Sequence, residues 1–169
     1  VAAQPRGYTW QLLNWRIAAK ELAISGAEHN LQIRERRWLA FLRETLLGNH
    51  RLVRQMLAES PHFIAADTLP ELAQRMNALA GNPDLAPGTL ETTVAAYDAQ
   101  FSAGLAHCND EQIRRILHAR LWGPDRLRTC APAPLSQRGA GPYIAIQLRL
   151  ISRKSLGGLQ TDLHSRVLD

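Results

Sequence analysis

The sequence predicts an α+β chain, a mainly helical region followed by a short β unit. Three observations carry this reading. Apolar residues recur at three- and four-residue spacing in several stretches between Trp10 and Leu117. From Gly123 to Gly141, Pro124, Pro132, Pro134 and Gly139 interrupt any period, which predicts an irregular connector. After it Ile144, Ile146, Leu148 and Leu150 alternate with a period of two, as in a strand. The expected division is residues 1–122 helical, 123–141 connector and 142–169 β unit.

Trp10, Leu13 and Ile17 stand at helical spacing, with Leu12 and Trp15 on a neighbouring stripe. Ser25 to Gln32 is polar and predicts a loop. Arg34 to Leu47 predicts a helix with Trp38, Leu39, Leu42 and Leu46 on one face, stopped by Gly48-Asn49. A shorter helix carries Leu52, Val53, Met56 and Leu57 and ends at Ser60-Pro61. His62 to Ala66 predicts a short strand. Thr68 and Glu71 form a capping box, each satisfying a backbone N–H that the other leaves free, ahead of a helix buried through Leu69, Leu72, Met76 and Leu79. Gly81-Asn82-Pro83 ends that helix. The next sets Leu90, Val94, Tyr97 and Phe101 on one stripe, with Tyr97 read as core. Asn109 is the expected cap of a last helix through Ile113, Ile116 and Leu117.

The chain has 169 residues, 46% of them hydrophobic, enough for about one core. No run approaches the roughly 20 apolar residues of a membrane span. Net charge is +5, but the arginines are spread along the chain without a nucleic-acid motif, so a solvated surface or a site for an anionic or carbonyl substrate is the alternative reading. Cys108 and Cys130 form no Cys-x-x-Cys pair and lie at no usual zinc spacing, so no metal and a reduced, cytoplasmic setting are expected. His62 and His164 have no carboxylate or cysteine at motif spacing. No Gly-x-Gly-x-x-Gly, Gly-x-Ser-x-Gly or phosphate loop occurs.

The chemistry-bearing stretch is Arg153-Lys154-Ser155-Leu156-Gly157-Gly158. Two adjacent residues without Cβ let main chain approach something flat or bulky. They can equally make a β-bulge. Lys154 and Ser155 either overhang whatever the glycines approach, where a lysine can orient a carboxylate or carbonyl oxygen, or form an exposed strand end. Short strands are expected at Leu159 to Thr161 and at Arg166 to Leu168. A strand, glycine pair and strand ending in mid-hairpin predict a piece of a longer polypeptide.

Gly-Pro-Tyr-Ile-Ala at 141–145, Ser-Arg-Lys-Ser-Leu-Gly-Gly-Leu-Gln-Thr-Asp at 152–162 and Arg-Val-Leu-Asp at 166–169 resemble the flavoproteins of the fumarate reductase and succinate dehydrogenase superfamily. The branch they resemble is that of FAD-binding dehydrogenases related to 3-ketosteroid dehydrogenases. Gln-Pro-Arg-Gly-Tyr-Thr-Trp at 4–10, Glu-Leu-Ala-Ile-Ser-Gly-Ala-Glu-His-Asn at 21–30, Ala-Ala-Asp-Thr-Leu-Pro-Glu-Leu at 65–72 and Met-Asn-Ala-Leu-Ala-Gly at 76–81 fit the same branch. The resemblance spans nearly the whole chain.

It implies a helical cap domain, then a β unit belonging to the sheet of an FAD-binding domain, with both main FAD-anchoring segments outside this chain. It implies FAD as cofactor, Gly157 and Gly158 close to the flavin, and Lys154 and Ser155 beside a small-molecule substrate. The implied activity is hydride transfer between an organic substrate and FAD, with the rest of the flavoprotein chain as partner and the isolated chain binding FAD weakly. Fumarate reductases carry His-Thr-Met-Gly-Gly where this chain has Lys154 to Gly158, so the carboxylate-binding His is lost. Ketosteroid enzymes usually carry a small residue where Lys154 stands, and no catalytic residue is carried over. The alternative is a non-catalytic helical interaction module. A fragment should leave an open sheet edge along Tyr143 to Leu150, giving self-association, and a module should not.

Overall fold

A computed structural model describes residues 6–24, 26, 28–102, 108–149, 162–164, 166 and 167. The elements run β1 (Tyr8–Asn14), α1 (Trp15–Glu21), α2 (Leu31–Arg34), α3 (Trp38–Leu47), α4 (His50–Glu59), β2 (Phe63–Ala66), α5 (Leu69–Ala80), α6 (Thr89–Ser102), α7 (Glu111–Ala119), α8 (Gly123–Arg128) and β3 (Tyr143–Arg149). The fold is α+β, with helices around a small antiparallel sheet of order β1-β3-β2.

Alternation along β3 sorts side chains to two apolar layers. Ile144 and Ile146 pack with Ala18, Ala19 and Val53 of α1 and α4. Ala145, with no exposed surface, packs with Leu72, Ala73 and Met76 of α5. Both faces of β3 are therefore covered from Ile144 to Ile146, and over Tyr143 to Ile146 its neighbours cover both edges. Tyr8 to Asn14 pair with Arg149 to Tyr143, and Phe63 to Ala66 pair with Ile146 to Tyr143. The open edge expected along Tyr143 to Leu150 is thus closed by β1 over Tyr143–Arg149 and by β2 over Tyr143 to Ile146. The strand also shares its sheet with segments from the first 122 residues.

Tyr8 to Asn14 is a strand, not the start of a helix. The helical spacing of Trp10, Leu13 and Ile17 arises where a strand runs directly into α1. Asn14 marks the junction: its side-chain oxygen accepts from Ile17 N at 2.9 Å and caps α1. Arg36, at φ 54°, breaks the expected helix from Arg34 to Leu47 into α2 and α3. Thr68 Oγ accepts from Glu71 N at 3.4 Å and Gly81 closes α5 in the left-handed conformation, as expected. Asp110, not Asn109, caps α7, accepting from Ile113 N at 2.8 Å. Leu90 and Val94 are buried on α6, with Tyr97 and Phe101 half-buried.

Gly48 (φ 99°) lets the α3–α4 link lie on α1, since a Cβ there would stand 3.1 Å from Ala19 O. The ammonium of Lys20 donates to Thr45 O and Leu46 O, satisfying carbonyls at the end of α3. α3 is nonetheless the exception to its own pattern: none of its residues is buried. No described helix is long and apolar enough to cross a membrane.

Candidate functional site: a cavity closed by the connector

The predicted connector holds two different things. Its first part is α8; its second, from Thr129 to Gly141, is pinned across β1, α1 and α6. Asp98, on α6, accepts from Leu135 N at 2.6 Å and Ser136 N at 3.0 Å. Asn14 donates from Nδ2 to Leu135 O at 3.1 Å, and Arg16 donates to Gln137 Oε1 at 3.1 Å. Trp15 N donates to Pro142 O at 2.9 Å. A long irregular segment persists when its backbone groups find partners this way.

Under this strap lies a cavity of about 580 Å³ bounded by β1, α1, α6, α7 and residues 130–135. Its walls include Leu12, Val94, Tyr97, Ile113, Ile116 and Pro132. The volume falls in the range of roughly 300–1,000 Å³ common for small-molecule sites, which are apolar with a few convergent polar groups.

The polar corner is built from Glu21, Arg120 and Cys130. Arg120 Nη2 donates to both carboxylate oxygens of Glu21 at 2.8 Å, and the two side chains are only 22% and 19% exposed (Glu21, Arg120). Arg120 Nη1 also donates to Cys130 O. Cys130 N donates to Glu21 Oε1 at 2.7 Å. The pair thus fastens the connector to α1 and the end of α7. It is already satisfied internally, so it serves as a wall rather than a free anion binder.

Burial pushes the Cys130 thiol above its ordinary value of 9.0, with Glu21 adding to it and Arg16 opposing. Burial, then the Asp98 carboxylate, raises the Tyr97 phenol above 10.0. Both groups hold their proton longer folded than unfolded, so the folded state binds more protons above those values. Their contribution is fully present below pH 9 and is lost as pH rises through the raised values. Thermal unfolding midpoints are expected to fall from about pH 9 upward, and Cys130→Ser should shift the onset toward the tyrosine range.

Lys154, Ser155, Gly157 and Gly158 lie outside the described residues, as does the strand expected at Leu159 to Thr161. On their near side β3 ends at Arg149. On their far side Asp162 accepts from His164 N at 2.8 Å and Arg166 N at 3.0 Å, and Arg166 Nε donates to Asp162 Oδ2 at 2.7 Å. Asp162 N in turn donates to Arg166 O at 2.9 Å, closing a turn ahead of the strand expected over Arg166 to Leu168, of which Val167 makes a β-bridge and Leu168 lies outside the described residues. Arg166 holds the half-buried Asp162 carboxyl below its ordinary range. His62 bonds Gln147 Oε1 through Nδ1 at 3.0 Å, a structural partner 85 positions away that no spacing rule reveals.

The residues that build the cavity corner were not singled out from sequence. Asn14 carried a usable signal, since an asparagine before Trp-Arg-Ile is a cap pattern. Glu21 and Arg120, 99 positions apart, carried none. The described cavity wall contains no glycine, so nothing there offers the close backbone cradle that a dinucleotide pyrophosphate takes. Its size and apolar lining suit an organic molecule instead.

The chain belongs to the FAD binding domain family, whose profile it matches over residues 10–169. Among curated proteins the chain is 39% identical over 164 residues to a KsdD-like steroid dehydrogenase of Mycobacterium tuberculosis (strain CDC 1551 / Oshkosh), covering 95% of this chain and 28% of the relative. It is 38% identical over 165 residues to a KsdD-like steroid dehydrogenase of Mycolicibacterium smegmatis, covering 95% and 29%. The chain therefore spans less than a third of the length of these relatives. No solved structure matches it significantly.

Proposed function

We propose that this chain is the substrate-covering part of an FAD-dependent dehydrogenase acting on an apolar organic substrate of the steroid class. The observation that carries the reading is the 39% identity, over 95% of the chain, to a KsdD-like steroid dehydrogenase. The apolar cavity of about 580 Å³ supports it, because a steroid-like molecule offers mostly hydrophobic surface and few polar groups.

In this reading residues 1–122 and the connector 123–141 form the cap, and the sheet carries it on to Arg149. The chain then returns to the FAD-binding domain within 142–169. FAD, when bound, supplies the hydride acceptor. Gly157 and Gly158 bring main chain against the flavin ring without a Cβ to hold it off. Lys154 and Ser155 hold a carbonyl oxygen of the substrate, the ammonium and hydroxyl donating to it. The cap excludes water from the reacting carbons.

The test is turnover by the full-length polypeptide with an artificial electron acceptor. Dye reduction dependent on a 3-ketosteroid, and absent with succinate, is the expected result. Turnover of succinate but of no steroid contradicts the substrate class.

A further inference from the structure

We infer that α3, together with Leu121, Trp122 and Leu127 at α8, is a docking face for the FAD-anchoring part of the same polypeptide; the inference rests on the flavoprotein reading above. Trp38 is 61% exposed, Leu39 86% and Leu42 55%, and Phe41, Leu46 and Leu47 are exposed beside them. α8 packs against α3 and extends the surface with Trp122 and Leu127. Contiguous exposed apolar surface on this scale marks an interaction site in a soluble protein.

The composition of α3 decides between occupants. Its only charged residues are Arg43 and Glu44, and Glu44 is already bonded to Gln32. A helix lying in a membrane surface needs a strongly charged face opposite its apolar one, and α3 has none. A helix apolar nearly all round is one that ends up buried in protein. Among the described residues nothing buries any side chain of this helix, which leaves the face free for a partner. The relatives are more than three times longer than this chain, as 28% coverage implies. A covalently tethered domain competes at an effective concentration of about millimolar, well above that of a free second copy at micromolar protein. The face needs about 800 Å² of partner surface to make a stable interface, within reach of a polypeptide of that length.

The test is thiol accessibility at Leu42→Cys and, separately, Leu39→Cys, in the isolated chain and in the full-length polypeptide, with flavin content read from the same full-length samples. Cys108 and Cys130 are buried, so the unsubstituted chain sets a low background. Circular dichroism of each variant shows whether it has folded, and two sites guard against one failing to do so. Expected is fast maleimide labelling in the isolated chain and labelling slowed at least about tenfold in the full-length protein. Equal rates in both overturn the inference. So does slow labelling of the isolated chain that speeds up on dilution, which assigns the face to a second copy. Protection of the isolated chain by phosphatidylglycerol vesicles, with the full-length protein still fast, assigns it to a membrane and also overturns it. Bound flavin with fast labelling removes the docking face alone. Absent flavin with slow labelling removes the flavoprotein reading and leaves docking on the flanking polypeptide.

Discussion

Glu21→Ala is expected to lower the unfolding free energy of the chain by about 2–4 kcal/mol, toward the cost of removing one partner of a buried ion pair. The carboxylate receives three hydrogen bonds, two from Arg120 and one from Cys130 N. Without it a guanidinium only 19% exposed loses its counter-charge, keeping only Cys130 O, and the Cys130 N–H loses its acceptor. The residual exposure lets water compensate in part, which keeps the figure below that for full burial. Glu21→Gln keeps the shape and some of the hydrogen bonds and should cost less. A urea midpoint unchanged by Glu21→Ala would mean that the strap from Thr129 to Gly141 is not held as described. The variant should also loosen that strap, so proteolysis near Ala131 to Leu135 is expected to rise well before global unfolding.

In the full-length polypeptide, Gly157→Val is expected to weaken FAD binding by about 10- to 100-fold, the equivalent of 1–3 kcal/mol of overpacking against a fixed ring. Gly158→Val should do the same. The physical reason is that, on the proposed reading, a branched Cβ would be placed where main chain lies against the flavin. Lys154→Met separates this effect from substrate binding: it should leave flavin content unchanged and lower kcat/KM for a ketone, because the donor to the carbonyl oxygen is lost. Full flavin occupancy in both glycine variants would reduce the pair to a β-bulge with no contact to the cofactor.

How much of this was legible in the sequence depends on how local each cause is. Thr68 with Glu71, Gly81, and the stripe through Leu90 and Val94 are local signals, and the structure keeps them. Asn14 was local too, but the helical spacing of Trp10, Leu13 and Ile17 masked it. A strand entering a helix without a linker produces a false period, because the two patterns coincide over two or three residues. The position of β3 was not legible: that one strand sits between two others, the first of them more than 120 positions earlier, depends on long-range pairing, and its apolar alternation fits an edge or a centre equally. The reverse holds for α3. Its apolar residues were read as a buried face, and none of them is buried among the described residues. The Glu21–Arg120 clamp joins residues 99 apart and leaves no local trace. The Gly-Gly segment was read from its block of residues alone and lies outside the described residues.

The most direct measurement is the visible absorption of flavin in two samples, the full-length polypeptide and the 169-residue chain mixed with FAD. The account predicts flavin bands that stay with the full-length protein through gel filtration and bleach on anaerobic addition of a 3-ketosteroid. It predicts no retained flavin in the isolated chain. A full-length protein that purifies colourless and cannot be loaded with FAD, or an isolated chain that binds FAD tightly and stoichiometrically, would contradict it.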